Sequence, residues 1–382
     1  MEISTDSGRK GYSVLHLIDI FDGRYQRDQQ IIVSLQSEIG YDVTVVTSTY
    51  DDEWHPHGRN SFKKCEARFK GINVHHSLSL KPAFFEAAVY VPSPHVFDPY
   101  DVIHAYGPWS YSSYLACLLK KRSKTPVVMR ADLSEQAYQR ARRSAVWRSL
   151  LSVQFSCADA ITVFTQAEKQ YLTNLGITAE KIWVVPVGID LSKFRKTAIS
   201  TRSETVIGYI GRFAATKGVH RLVSPLSRIL REYDNVKVIF AGPRQDQTYF
   251  DRIMREMEQR ANFSYIGAPS DTLTFFDQCD IVIVPSTRET GAIVVKEAMA
   301  AGKAIIASNI NPIASYLQHG SSGLLIDTDE EIYESCKRLI DDQVLRTNLQ
   351  ERALDQSAEF SDRQMVRRIE EVYDSVAGSR GR

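Results

Sequence analysis

The sequence of 382 residues contains no long apolar run. None approaches the roughly 18 to 20 residues of a membrane span, and the first residues lack the apolar centre of a signal peptide. An excess of charge of one sign is also missing, because 47 lysines and arginines face 46 aspartates and glutamates. The resulting net charge of +1 provides no global attraction to nucleic acid. We therefore expect a cytoplasmic protein that binds no nucleic acid.

Cysteines are few and widely spaced, and no two of them have the spacing of a metal-binding or redox motif. Their number is odd, and they are Cys65, Cys117, Cys157, Cys279 and Cys336. This pattern predicts that all five are reduced residues of the core.

Several common catalytic motifs are missing as well. The chain has no G-x-G-x-x-G after a strand, no G-x-x-x-x-G-K-[ST], no G-x-S-x-G and no H-E-x-x-H. A nicotinamide enzyme, a P-loop ATPase, an α/β-hydrolase and a zinc protease therefore lose their main sequence support. The histidine pairs lack further ligands at suitable spacing, so we predict no metal site.

The composition is that of a folded protein of two or three domains, with 43% hydrophobic and 24% charged residues. Short apolar runs alternate with longer helical patterns in two series, one from residue 13 to 164 and one from 205 to 326. Apolar strands joined by helical crossovers predict the α/β class with parallel sheets.

A polar stretch without periodicity separates the two series. We predict a first domain over 1–191, a linker over 192–204, a second domain over 205–361, and a closing helix with a tail over 362–382. In doubly wound folds ligands bind beyond the carboxyl ends of the strands, so a site in a cleft between the domains is expected.

Two cations follow the first strand of the second series. In residues 211–218, GRFAATKG, Arg212 and Lys217 lie on the turn and at the start of the next helix. A guanidinium, a mobile ammonium and the amides of a helix N-terminus suit a diphosphate. The alternative is a solvated turn whose glycines serve only the backbone shape.

Two glutamates, Glu289 and Glu297, follow a later apolar strand. Their spacing of eight residues is weak support, because Glu351 and Glu359 share it in a polar helix. Their context is different: Glu289 falls on a strand-to-helix loop whose amides at 290–291 can face phosphate, and Glu297 falls two turns into the helix. Carboxylates there accept hydrogen bonds from ligand hydroxyls. The alternative for Glu297 is an exposed helical side chain.

These segments together resemble a known family. Residues 211–218, the strand CDIVIVPS at 279–286, and the two glutamates followed by AMAAG resemble the retaining nucleotide-sugar glycosyltransferases of family 4. The resemblance extends to IWVVPVGID at 182–190 and DVIHAYGP at 101–108, and so covers nearly the whole chain. It implies the GT-B fold, with two doubly wound Rossmann-like domains facing each other across a cleft. The first would bind the acceptor and the second the nucleotide sugar.

The resemblance also implies residue roles. Arg212 and Lys217 would hold the donor diphosphate, Glu289 the donor sugar hydroxyls and Glu297 the ribose, with the base near Gly267 and Ala268. The catalytic candidates are Arg212, Lys217 and Glu289. The donor-binding candidates are Gly211, Gly267, Ala268, Thr290, Gly291, Ala292, Ile293 and Glu297.

The acceptor side departs from the family pattern. The usual paired-glycine loop reads FDGRY around Gly23, and a family histidine is replaced within MRAD at 129–132, where Asp132 is the nearest polar residue. Two other segments also depart from the pattern. The interdomain segment has PVG at 186–188 in place of the usual Pro-Asn-Gly, and the phosphate loop has TGA at 290–292 in place of the usual Gly-Phe-Gly. The acceptor-side candidates are Gly23, His104 and Asp132.

The resemblance implies transfer of a hexose-type sugar from a nucleoside diphosphate to a hydroxyl of a sugar, glycan or lipid-linked acceptor, with retention. The alternatives are a GT-B nucleotide-sugar epimerase and a sugar-nucleotide-binding protein without turnover. We expect no cofactor and no metal, because the cations and the helix N-terminus can neutralise the diphosphate. The one D-x-D, at 327–329, precedes a helix, and we predict that Asp329 is its N-cap.

A local cationic stretch lies between residues 120 and 150. Nine cations face only Asp132 and Glu135, a local excess of seven, with Val146, Trp147, Leu150 and Leu151 close by. We predict reversible contact with an anionic membrane or a lipid-phosphate acceptor, and thus a peripheral position at the cytoplasmic face of the membrane. The alternative is a solvated basic helix. The cations are Lys120, Lys121, Arg122, Lys124, Arg130, Arg140, Arg142, Arg143 and Arg148.

Overall fold

The computed structural model describes residues 11–21, 28–49, 71–80, 89–194 and 204–378. The chain forms two compact units, one made of Met1–Gly188 with Asp362–Arg382 and the other of Ile189–Ser361. The boundary between the two units therefore lies after residue 188, whereas the sequence predicted the end of the first domain at residue 191. The first residues of the predicted linker, 192–194, belong to a helical turn at Leu191–Phe194. Residues 195–203 lie outside the described part.

The first unit contains a seven-stranded parallel sheet in the order β3-β2-β1-β6-β7-β8-β9, and a separate antiparallel pair, β4 with β5. The strands are β1 Ser13–Ile18, β2 Asp42–Ser48, β3 Asn73–Ser77, β4 Ser79–Leu80, β5 Val89–Tyr90, β6 Val102–Tyr106, β7 Val127–Arg130, β8 Ala160–Val163 and β9 Ile182–Val184.

Three helices of this unit, α2, α3 and α5, begin after a side chain that caps a first-turn amide. Ser110, Ser134 and Thr165 each accept a hydrogen bond from the backbone N–H three residues later. The helices are α1 Asp28–Glu38, α2 Tyr111–Ser123, α3 Glu135–Arg143, α4 Ala145–Ser156 and α5 Gln166–Asn174.

The second unit contains a six-stranded parallel sheet in the order β12-β11-β10-β13-β14-β15. The strands are β10 Thr205–Ile210, β11 Val236–Ala241, β12 Phe263–Tyr265, β13 Ile281–Val284, β14 Ala304–Ser308 and β15 Leu324–Ile326. The helices are α6 Leu191–Phe194, α7 His220–Glu232, α8 Gln247–Met257, α9 Thr272–Phe276, α10 Ile293–Ala300, α11 Ile313–Tyr316, α12 Asp329–Asp341 and α13 Gln343–Ser357.

The predicted α/β class with two parallel sheets is confirmed. The central strands β1, β6, β7, β10 and β13 are buried almost throughout, because helices cover both faces of each sheet. The sequence patterns overlooked β3 and β9, which lie at the two edges of the first sheet. β3 reads NVHHS and is mostly half-buried, so it lacks the apolar run that marks a central strand.

The last helix, α14 Asp362–Ala377, packs on the first unit rather than on the second, which precedes it in the chain. Its apolar face places Met365, Ile369 and Val372 in the core of that unit. Tyr41 donates a hydrogen bond to Glu370 at 2.9 Å, which fixes the polar side of the helix. The predicted amphipathic helix is confirmed.

The prediction that every cysteine is reduced is wrong for two of them. Cys117 of α2 and Cys157 after α4 form a disulfide with a Cα–Cα distance of 5.7 Å, across a sequence separation of 40 residues. The sequence spacing did not indicate this disulfide, because the two sulfurs come together only through the packing of α4 on α2. Cys279 and Cys336 are buried and reduced, as predicted, and Cys65 lies outside the described residues.

Candidate active site

Gly211, Gly242 and Gly267 lie at the carboxyl ends of the neighbouring strands β10, β11 and β12. We call this row of three glycines the ledge. The backbone pairing continues past the strands, with the amide of Gly211 bonded to the Ala241 carbonyl and the amide of Gly242 bonded to the Gly267 carbonyl. A Cβ at Gly242 would lie 1.9 Å from the Gly211 oxygen, so only glycine fits there. The ledge includes the predicted base-binding Gly267 and adjoins the exposed Ala268. Sequence reasoning missed Gly242, although its place directly after an apolar strand was a usable signal.

Two loops beside this ledge are joined by their backbones. The Thr216 carbonyl accepts hydrogen bonds from the amides of Thr287 at 2.9 Å and Arg288 at 3.2 Å. Gly218 has a φ of 68°, and a Cβ there would lie 2.0 Å from the Pro285 carbonyl oxygen. The loop that carries Lys217 is therefore held against the loop that carries Glu289.

Lys217 and Glu289 meet at the centre of the site. The Lys217 ammonium lies 2.6 Å from Glu289 Oε1, and the Ser286 hydroxyl donates to the same oxygen at 2.8 Å. Both charged side chains are largely buried, with 21% and 11% of their surfaces exposed. The structure thus brings together two predicted catalytic residues that lie 72 positions apart. Ser286 was not singled out from the sequence.

Arg212 lies on the same loop and has a separate partner. Its guanidinium donates to Gln245 Oε1 at 2.9 Å, and its side chain is exposed to solvent. The buried Tyr209 hydroxyl donates to the Arg212 carbonyl at 3.0 Å and so fixes the backbone below it. The guanidinium is therefore positioned at the edge of the ledge and open to an anion.

The N-terminus of α10 provides uncapped amides beside Glu289. The residue before the helix is Ala292, which adopts a left-handed conformation with φ 43° and makes no side-chain cap. The Val295 amide bonds back to the Ala292 carbonyl, whereas an alanine side chain has no acceptor for the other first-turn amides. The predicted donor-binding residues Thr290, Gly291, Ala292 and Ile293 thus surround a helix N-terminus of the kind that binds phosphate.

Glu297 lies within α10 and faces the start of α9. Its Oε1 accepts a hydrogen bond from the Thr272 hydroxyl at 3.3 Å. Burial raises the pKa of this carboxyl to about 7, although the Thr272 hydroxyl and the Lys193 ammonium act in the opposite direction. Glu297 is therefore not a freely exposed helical glutamate, and its charge changes near neutral pH.

The D-x-D motif is engaged by an arginine. Arg221 donates to Asp329 Oδ1 at 2.7 Å, to the Asp327 carbonyl at 3.1 Å and to the Ser308 hydroxyl at 2.9 Å. The prediction that Asp329 is the N-cap of α12 is wrong. Thr328 takes that place in a capping box with Glu331, since its hydroxyl accepts from the Glu331 amide.

The acceptor-side candidates belong to the first unit. Gly23 lies outside the described residues. His104 is fully buried, within 2.7 Å of the Tyr373 hydroxyl, and burial holds its pKa well below its usual value. A ring without exposed surface does not fit a residue that contacts an acceptor, so the structure does not support His104 in this role. Asp132 follows β7 with φ 44°, at the carboxyl edge where ligands of such sheets bind.

A further carboxylate at this edge was missed by sequence reasoning. Asp19 directly follows β1 and accepts hydrogen bonds from the amide and hydroxyl of Ser112, in the first turn of α2. Burial raises the pKa of Asp19 to about 6, partly offset by these bonds. Its place at the end of an apolar strand was the available signal.

Comparisons with known proteins agree with this architecture. The family profile "Glycosyltransferase Family 4" matches residues 32–193, and the profile "Glycosyl transferases group 1" matches residues 192–356. The chain belongs to glycosyltransferase family 4. The resemblance of the motifs is thereby confirmed.

The chain is about one quarter identical to two curated relatives. It is 25% identical over 246 residues to the N,N'-diacetylbacillosaminyl-diphospho-undecaprenol alpha-1,3-N-acetylgalactosaminyltransferase of Campylobacter jejuni, covering 60% of this chain and 64% of the relative, just under two thirds. It is 25% identical over 307 residues to the D-inositol 3-phosphate glycosyltransferase of Corynebacterium urealyticum, covering 72% of each chain.

Solved structures show that the fold is GT-B. HepE of Anabaena in complex with UDP has a TM-score of 0.76 at 19% identity, covering 95% of this chain and 100% of that chain. Sucrose-phosphate synthase of Thermosynechococcus elongatus has a TM-score of 0.74 at 17% identity, covering 96% and 100%.

Proposed function

We propose that this glycosyltransferase moves a hexose-type sugar from a nucleoside diphosphate to an acceptor hydroxyl with retention of anomeric configuration. The observation that carries the proposal is the Lys217–Glu289 pair, with Ser286, between two joined loops. An ammonium and a carboxylate 2.6 Å apart fit a donor in which a charged diphosphate is bonded directly to a sugar rich in hydroxyl groups.

Each charged group has a task in this proposal. On donor binding the Lys217 ammonium turns from Glu289 to the diphosphate, and Glu289 accepts hydrogen bonds from the sugar instead. Arg212 and the uncapped amides of α10 add positive charge where the leaving diphosphate becomes more negative. Removing one such donor typically costs about 3 kcal/mol of transition-state stabilisation. Glu297 accepts hydrogen bonds from the ribose.

The reaction proposed is a front-face substitution. The bond between the anomeric carbon and the diphosphate oxygen breaks on the same face on which the acceptor oxygen attacks. The acceptor proton leaves toward the departing diphosphate, whose charge Lys217 and Arg212 stabilise. The relatives support a nucleotide-sugar donor, because HepE was crystallised with UDP-glucose and with UDP. The names of other relatives point to sugar or lipid-linked acceptors, and thus to glycan or glycolipid biosynthesis.

We further propose that no divalent metal takes part. The Asp329 carboxylate and the Asp327 carbonyl both bind Arg221, so the D-x-D motif has a structural partner. The positive charge that a metal supplies in other glycosyltransferases comes here from two side chains and a helix N-terminus. The test is the initial rate in excess EDTA, measured for the unchanged protein and for the variant Asp329→Asn. Loss of turnover on chelation, restored by magnesium or manganese, would contradict it.

The test of the function is incubation of the pure protein with a panel of sugar nucleotides, with and without sugar and lipid-linked acceptors. Acceptor-dependent release of diphosphate, with the product anomer matching the donor in NMR spectra, is the expected result. An isomerised sugar nucleotide would instead identify an epimerase. Tight binding without either reaction would identify a sugar-nucleotide-binding protein.

A further inference from the structure

An exposed arginine-rich surface lies at the corner between α3 and α4. We define the α3–α4 corner as residues 140–153. Its four arginines, Arg140, Arg142, Arg143 and Arg148, are all exposed. The chain has no acidic residue from 136 to 158, and no ion pair joins any of the four to a residue of the described part. The corner therefore carries a local charge of +4.

The structure divides the cationic stretch that the sequence suggested. Lys120 pairs with Asp159 at 2.8 Å, and the side chain of Arg130 is only 1% exposed and lies beside Asp28. The charge of each of these two residues is therefore balanced by a carboxylate. Lys121, Arg122 and Lys124 are exposed at the far end of α2. The remaining four arginines form the α3–α4 corner.

Apolar side chains are exposed beside these arginines. Val146 and Val153 lie seven residues apart on α4, about two turns, and so on the same face, and they are 68% and 61% exposed. Leu150 lies between them and is half-buried. An exposed apolar row beside uncompensated arginines is the pattern of helices that lie in a membrane interface.

The corner is held firmly in this orientation. The Cys117–Cys157 disulfide fixes the end of α4 to α2, and the Tyr114 hydroxyl donates to the Leu150 carbonyl at 3.1 Å. The Trp147 ring contacts Trp109 with centroids 5.0 Å apart. Val146 and Val153 take part in none of these contacts and remain exposed.

We propose that the α3–α4 corner docks on an anionic lipid bilayer. Charge complementarity selects an anionic partner, and the valine row selects a bilayer over a soluble polyanion, because only the bilayer offers an apolar phase next to its charges. None of the helices in the described part of the chain has the length and hydropathy of a membrane span. The proposal goes beyond glycosyl transfer and is tested without donor or acceptor.

The experiment is flotation of the full chain with vesicles of phosphatidylcholine alone or mixed with phosphatidylglycerol. The variant Arg142→Gln/Arg143→Gln/Arg148→Gln should lower the partition coefficient on anionic vesicles about 100-fold, since each arginine near the surface contributes about fivefold. The control Lys121→Gln/Arg122→Gln/Lys124→Gln removes the same charge elsewhere and should lower it less than about threefold. Thermal melting verifies that each variant is folded.

A second pair of variants tests the apolar part. Val146→Asn/Val153→Asn should weaken vesicle binding about tenfold, and Val344→Asn, at a valine 72% exposed in the other unit, should leave it unchanged. Equal recovery with neutral and anionic vesicles, or equal loss in both charge variants, overturns the proposal. Arginine-dependent binding that the valine variant leaves intact and heparin abolishes indicates a soluble polyanion, and also overturns it.

Discussion

Replacing Lys217 by alanine is the sharpest test of the candidate active site. The side chain lies 2.6 Å from Glu289 and is only 21% exposed, so its removal takes one charged donor from the place assigned to the leaving diphosphate. A loss of about 3 kcal/mol corresponds to a kcat about 150-fold lower at saturating donor. The folded state loses an ion pair whose side chains are only 21% and 11% exposed, so the variant should also be less stable, although the Ser286 hydroxyl still donates to the Glu289 carboxylate. Thermal melting measures this loss, and kcat is compared at a temperature where the variant is folded.

A matched control and a double variant separate the possible causes. Lys237 forms an ion pair with Glu204 at 2.7 Å in the same unit, with side chains 48% and 46% exposed and outside the loops of the site, so Lys237→Ala should leave kcat unchanged. If Lys217 and Glu289 each contact the donor, the double variant Lys217→Ala/Glu289→Gln has a lower kcat than either single variant, although the two effects need not add because the side chains are in contact. If Lys217 only positions Glu289, the double variant is no slower than the slower single variant. A near-normal kcat for Lys217→Ala at saturating donor would refute the assignment.

Further predictions concern pH, metal, the disulfide and the loop backbone. With a pKa of about 7, the Glu297 carboxyl is about one tenth ionised at pH 6 and about nine tenths ionised at pH 8. Affinity for a nucleotide sugar should therefore rise between these pH values. Calorimetry of Glu297→Gln should show weaker binding without that rise. Initial rates should be unchanged in excess EDTA; dependence on added metal would contradict this. Cys117→Ser/Cys157→Ser should lower the free energy of unfolding in urea by about 3 kcal/mol, and an equal effect of reductant on both proteins would argue against the bond. Gly218→Ala should destabilise the protein by about 2 kcal/mol more than Gly320→Ala, within the range of about 1 to 3 kcal/mol for overpacking that forces a backbone shift. Both glycines have positive φ, but only a Cβ at 218 would meet backbone, 2.0 Å from the Pro285 carbonyl oxygen. Equal melting temperatures would count against this geometry.

The central strands of both units could be predicted from the sequence alone. Strands such as β1 and β10 are continuous apolar runs, and a run of this kind predicts a central parallel strand because helices cover both faces of the sheet. It also indicated the loops at Lys217 and Glu289, since glycines and charges that directly follow such strands lie at the carboxyl edge. These features depend on residues close together in the chain, so local patterns were sufficient to predict them.

Contacts between residues far apart in the chain could not be predicted from the sequence. Lys217 and Glu289 are 72 positions apart, and Cys117 and Cys157 are 40 apart, so no local pattern pairs them. The burial of His104, an acceptor-side candidate in the sequence, also depends on a distant residue. Its ring lies against the Tyr373 hydroxyl because α14 packs on the first unit. Secondary structure follows from neighbouring residues, whereas side-chain environment follows from packing between elements that the sequence leaves far apart.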